Sequence, residues 1–94
     1  MVYDIAASGE RIRQLRKARG MTQEQLAVKL DIGERHLRRI EAGEKGASVD
    51  ILVEISAVFG VSLDYIIAGK QPQNELKQRL HLILKDLYSL VKEL

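Results

Sequence analysis

The chain has 94 residues, no cysteine, and 15 Lys plus Arg against 13 Asp plus Glu, a net charge of only +2. That length allows one small domain, or a domain of about 70 residues with a helical appendage, and no large core. Without cysteine there are no disulfides, no thiol catalysis and no cysteine-ligated zinc, which suits a reducing compartment. The apolar runs are too short for a membrane span and the N-terminus lacks a secretory pattern, so no membrane and a cytoplasmic location are expected. Attraction to a polyanion must then come from where the charges lie. Arg11, Arg13, Arg16, Lys17 and Arg19 form an acid-free basic run, and Arg35, Arg38 and Arg39 a second cluster.

Met1 to Ala7 show no clear period and read as a tail or short strap. Ser8 or Gly9 can start a first helix, with Glu10 near its positive end and Ile12, Leu15 and Ala18 facing inward. Gly20 ends it in the left-handed conformation a glycine takes without strain, and Met21 follows as a core residue. Thr22 with Gln25 forms a capping-box pattern for a second helix that runs to about Leu30, with Leu26, Ala27 and Leu30 on one face. Asp31, Ile32 and Gly33 leave room only for a sharp turn. A third helix from about Glu34 to Ala42, closed by Gly43, must therefore cross the second steeply.

That third helix buries Leu37 and Ile40 and offers Glu34, Arg35, Arg38 and Arg39 to solvent. Three guanidiniums on about two turns exceed what solubility requires, and they can donate paired hydrogen bonds to base edges or phosphates. After a loop from Glu44 to Ala47, Ser48 caps a fourth helix whose inward stripe is Leu52, Ile55 and Phe59, with Val49 and Val53 at its margins and Gly60 as its stop. Ser62 caps a short fifth helix, Leu63 to Ala68, terminated by Gly69. Lys70 to Gln73 read as a linker, because Gln71 precedes a proline and is pushed out of the helical region.

Residues 74–94 predict a sixth, amphipathic helix. Leu76, Leu80, Ile83, Leu84, Leu87, Leu90, Val91 and Leu94 share one face, and most of them follow the four-three spacing of a coiled-coil seam. Such a stripe needs cover: a second copy, the preceding helices, or another protein. A homodimer is favoured, with docking back onto the chain's own domain as the plainer alternative.

The segments IRQLRKARGMTQEQLAVKL, LRRIEAGEKGAS and FGVSLDYIIAG, in that order and spacing over about residues 9–69, resemble the lambda Cro and cI type of helix-turn-helix transcriptional regulators, the XRE family. The resemblance implies an all-α, five-helix lambda-repressor-like domain, taken as residues 1–70, to which the proline and the apolar stripe add a linker at 71–73 and the C-terminal helix at 74–94 as dimerisation element. It implies a third helix lying in the major groove of double-stranded DNA, as part of a dimer on a palindromic operator. By position, Gln23 matches a glutamine that contacts phosphate and buttresses the recognition helix, and Arg16 with Glu41 matches a buried ion pair between helices one and three. Glu34, Arg35 and Arg39 match base-reading positions, and Arg38 can reach base or phosphate. Asp31 stands where glycine is common, Gly33 where a hydroxylated cap is usual, Ala42 where some members have a polar residue, and Ala47 where proline is common.

Arg35 and Arg39, four residues apart, suit bidentate contact with guanine O6 and N7. Glu34 either accepts from a cytosine amino group, neutralises Arg38 or stabilises the helix start. Arg11, Arg13 and Lys17 either approach phosphates flanking a half-site or form a solvated face; His36 and Lys45 complete the phosphate-facing set. His36 and His81 lie far apart without a ligand set, so no metal is expected. Tyr65 reads as a core or dimer-edge residue and Tyr88 as an interface rim. No aromatic lies near the basic clusters to stack on single strands. Nothing in the chain assembles an acid, base and nucleophile or a phosphate-cradling glycine loop, so neither an enzyme nor a cofactor is expected. The rival to a DNA-binding regulator is an interaction module on the same fold, whose C-terminal helix binds a regulatory protein partner.

Overall fold

Six helices follow one another: α1 Ile5–Ala18, α2 Gln23–Leu30, α3 Glu34–Glu41, α4 Val49–Phe59, α5 Leu63–Ala68 and α6 Pro72–Lys92. The structure, a computed structural model, describes residues 3–70 and 72–94, the side chains of 72–78 excepted. Met1, Val2, Gln71 and the side chain of Leu76 thus lie outside the described residues.

Most boundaries are set by side chains that replace missing helical hydrogen bonds. At α2 the Thr22 hydroxyl accepts from the Gln25 N–H at 3.1 Å while the Gln25 side chain accepts from the Thr22 N–H at 2.9 Å. Ser48 and Ser62 cap α4 and α5 in the same way, through the N–H groups of Ile51 and Tyr65. Gly60 and Gly69 close those helices with positive φ.

The start of α1 corrects the sequence expectation. The helix begins at Ile5, capped by Asp4, whose carboxylate accepts from the Ala7 N–H at 3.0 Å. Ser8 and Gly9 are interior and buried. A Cβ at Gly9 would run into the carbonyl oxygen of Ile40 and lie 3.0 Å from that of Glu41, so glycine here permits close helix crossing rather than a helix start. Tyr3, in the supposed tail, packs on the core, and its hydroxyl accepts from the Ala47 N–H at 3.4 Å. Ala18 is exposed rather than inward, because six residues on from Ile12 it lies well round the helix from the buried stripe of Ile12 and Arg16. The other difference is at α6, which opens at Pro72 rather than Asn74. Proline suits a first helical position, where its absent N–H would have had no partner.

The core draws Ile12 from α1, Leu26 and Leu30 from α2, Leu37 and Ile40 from α3, Leu52, Ile55 and Phe59 from α4, and Ile66 from α5. Helix α3 lies against α1 and α2, α5 against α1 and α4, and α2 against α4. By contrast, every residue from Arg79 to Leu94 is exposed. No described helix is long and apolar enough to cross a membrane. Substituting Gly9→Ala should lower stability by about 1–3 kcal/mol, since the methyl group can be housed only by separating α1 from α3. A melting point within a degree of the parent's in calorimetry would rule out this close crossing.

Candidate nucleic-acid interface

Helices α2 and α3 are joined by a turn in which Asp31 takes the left-handed conformation, φ 54° and ψ 45°. It is the one non-glycine residue with positive φ among those described. Aspartate tolerates this region better than most side chains, so it can stand where glycine is common. Gly33 then occupies the cap position of α3 with no side chain to offer the first turn. Neither Asp31 nor Glu34 makes up for that missing cap. Glu34 instead lies 3.6 Å from Arg38.

Leu37 and Ile40 of α3 are fully buried, which turns Glu34, Arg35, Arg38 and Arg39 outward; all four are exposed. Arg35 has no ion-pair partner among the described residues, whereas Arg39 approaches Glu44, in the following loop, at 3.6 Å. Arg35, Arg38, Arg39, Ala42 and Glu44 line one shallow concavity, and Gly33, Arg35, His36 and Arg39 line its neighbour. His36 is half-buried on the shoulder of α3, and Lys45 is exposed in the loop beyond it. Exposed pairs such as Glu34 with Arg38 contribute little stability, at most about 1 kcal/mol each, so their arginines can be redirected cheaply toward an anion.

The back of α3 is held quite differently. The Arg16 guanidinium donates to both carboxylate oxygens of Glu41, at 2.8 and 3.0 Å, and to the Met21 carbonyl at 2.8 Å. Gln23 donates its amide to the same Glu41 carboxylate at 3.1 Å. The Arg16 and Glu41 side chains are only 9% and 2% exposed. Helices α1, α2 and α3 therefore converge on one carboxylate.

The basic run of α1 divides by destination. Arg13 and Lys17 are exposed, with Arg13 3.5 Å from Glu10. Arg11 is engaged elsewhere: its guanidinium donates to the Ile66 carbonyl at 3.0 Å and lies against Gly69, at the end of α5. Arg19, given no role from the sequence, donates to the Phe59 carbonyl at 3.1 Å and sits over the Phe59 ring, 5.6 Å from its centre. Glu44 was also overlooked. It lies five residues from Arg39 and past the helix end, so no helical periodicity links the two. Among the described residues no three carboxylates or imidazoles cluster as metal ligands.

Residues 12–66 match the helix-turn-helix family HTH_3. The chain belongs to that family, in its Cro and cI type. This helix-turn-helix chain is 31% identical over 86 residues to the HTH-type transcriptional regulator ImmR of Bacillus subtilis, covering 92% of its own length and 66% of ImmR. It is 43% identical over 58 residues to YobD of the same organism, an uncharacterized HTH-type regulator, covering 62% of itself and 52% of YobD. The chain thus spans between half and two thirds of these curated relatives. Among solved structures, the P22 c2 repressor in complex with a synthetic operator superposes with a TM-score of 0.64 at 27% identity, over 67% of this chain and 96% of that one. SinR in complex with DNA gives 0.58 at 33% identity, over 63% and 95%.

Two substitutions probe this helix-turn-helix frame. Arg16→Ala should cost about 3–5 kcal/mol, because Glu41 would remain buried without its counter-charge. Asp31→Gly should add about 0.5–1 kcal/mol by relieving the left-handed turn. Urea unfolding measures both; equal and small effects would show that the buried pair does not anchor α3.

Proposed function

We propose that the protein is a sequence-specific regulator of transcription that binds double-stranded DNA as a homodimer on a palindromic operator and acts as a repressor. The observation that carries this reading is the two-sidedness of α3. One face is fixed by Leu37, Ile40 and the Glu41 network, and the other projects Arg35, Arg38 and Arg39 into solvent. A helix so held can enter a major groove, where arginine recognises guanine through two parallel hydrogen bonds. The likeness to the P22 c2 repressor, solved on an operator, supports repression. A regulator seated on DNA excludes other proteins from an overlapping site and needs no covalent chemistry.

In this reading Arg35 and Arg39 read bases, with Arg38 and Glu34 beside them. Gln23, Arg13, Lys17, His36 and Lys45 face phosphates. Arg11 is left out of the phosphate set, because its guanidinium already caps α5. Residues 1–70 form the DNA-binding unit and α6 the dimerisation element, whose described aliphatic side chains all stand exposed, from Leu80 at 52% to Leu82 at 63%. The same exposed stripe favours the second reading, in which α6 receives a regulatory protein.

Selection of bound duplexes from a random pool should return two related half-sites about one helical turn apart. On the selected site, Arg39→Ala should lose about 1–3 kcal/mol of discrimination at one base pair, while Arg13→Ala weakens selected and scrambled duplexes alike. The logarithm of the binding constant should fall by about 0.9 per phosphate contact for each tenfold rise in salt. If the two variants lose equally on both duplexes, α3 is not the reading helix.

A further inference from the structure

The exposed stripe of α6 carries, beside its apolar residues, a charge pattern that distinguishes the two ways in which a pair of such helices can lie. We infer that two copies of α6 pair antiparallel, in the register that sets Leu80 against Leu90 of the second chain and Ile83 against its Leu87. This rests on the homodimer reading above and specifies its geometry.

In the four-three repeat, Leu80 and Leu87 occupy one class of seam position and Ile83 and Leu90 the other. The residues just before Leu80 and Leu87 on the flank are Arg79 and Asp86, and Glu93 is the next in that series. The opposite flank is apolar where it is described, with Leu84 and Val91. In a parallel, in-register pair each flank faces the opposite flank of its partner. Arg79 would then meet Leu84 and Asp86 would meet Val91, charge against hydrocarbon with no compensation. In the antiparallel pair like flanks meet. Arg79 faces Glu93 of the second chain, twice by symmetry, and Leu84 meets its own copy.

Among the residues whose side chains are described, Asp86 makes the one unfavourable contact of this register, meeting its own copy at the two-fold axis. It lies at the solvent rim, where screening is strong, with Lys85 adjacent in each chain. Antiparallel helices also place opposite macrodipole ends side by side. Glu93 lies in the turn just past the last helical residue, where its N–H donates to the Leu90 carbonyl at 3.2 Å and keeps the chain within one residue of the helix end.

The register has a geometric consequence for DNA. At 1.5 Å per residue it separates the two copies of Pro72 by about 39 Å along the helix axis, whereas a parallel pair would bring them within about 10 Å. The former is on the order of the 34–36 Å between major-groove faces one turn apart. The antiparallel pair thus starts its two five-helix units from points separated on the scale of successive half-sites, whereas the parallel pair starts both from one place.

Since the chain has no cysteine, single cysteines report the orientation directly. A mixture of Leu80→Cys and Leu90→Cys chains should form the disulfide-linked mixed dimer under mild oxidation, while each variant alone forms little. Self-linking of both variants alone, without a gain on mixing, would indicate parallel helices and overturn the inference while leaving the dimer intact. Absence of linking in every arm, in a protein that sedimentation equilibrium shows to be dimeric, would overturn it too. A monomeric full chain would remove the dimer reading itself. As an independent measure, Arg79→Glu should weaken self-association roughly tenfold, through two symmetric contacts, and adding Glu93→Arg should restore it. Failure of that rescue would reject the register.

Discussion

The structure depends most on one buried carboxylate. Apolar packing brings α1, α2 and α3 together, but hydrophobic contact is non-directional and tolerates rotation of one helix against another. Glu41 removes that freedom, because Arg16 reaches it from α1 and Gln23 from the first turn of α2, and each bond has a required direction. Burying two charges costs several kcal/mol per ion and is offset only when their hydrogen-bonding groups find partners. Here the carboxylate accepts from both side chains, and the guanidinium has the Met21 carbonyl in addition. The close passage of Gly9 beneath the Ile40 and Glu41 carbonyls lies at the same crossing. Position and rotation of α3 are thus fixed at its C-terminal end, and with them the direction in which Arg35 and Arg39 project.

In a chain of net charge +2 the arginines divide between two tasks, holding the architecture and forming an exposed cationic face. Arg11 and Arg19 satisfy carbonyls at the ends of α5 and α4, where the helix dipole favours positive charge. They strengthen the body without enlarging the anion-attracting face. Glu34 on α3 and Glu44 in the loop after it stand 3.6 Å from Arg38 and Arg39 respectively. An acid so placed repels phosphate. On the proposed DNA-binding reading it would lower affinity for any duplex that does not offer the arginines a better partner, raising selectivity at the expense of strength.

How much of this was legible beforehand follows from the range of the forces involved. The limits of α2, α4 and α5 are written locally, in Thr22 with Gln25, in Ser48 and Ser62, and in Gly60 and Gly69. Capping acts over three or four residues, so sequence alone exposes it. The start of α1 was misplaced because Gly9, normally a helix breaker, is required there by the backbone of α3, thirty residues away. Asp4 is as good a cap as Ser8, and nothing local ranks the two. The destinations of Arg11 and Arg19 were hidden for the same reason: a long side chain on a helix surface selects its partner by tertiary proximity. The pairing of Arg39 with Glu44 requires the path of the chain after Gly43, which periodicity does not describe. The Arg16 and Glu41 pair was reached from the sequence through family likeness, since neither residue's spacing would suggest that they meet.

If α3 reads DNA as proposed, its eight residues limit what a single copy can achieve. It presents few side chains to base edges, and a module of this size on DNA buries only about 600–1,000 Å² of protein surface. Lengthening α3 would not help, because a straight helix leaves the curved groove after a few base pairs. Doubling the contact does, provided that the second copy is held where the next half-site lies. Once one copy is seated, the other then binds as an intramolecular event at an effective concentration set by the connection between them. On the proposed reading, the apolar stripe of α6 would supply attraction and its flanking charges orientation, and orientation would decide whether both copies of α3 reach the same side of the duplex together. The chemistry of recognition would then reside in α3 and its geometry in α6.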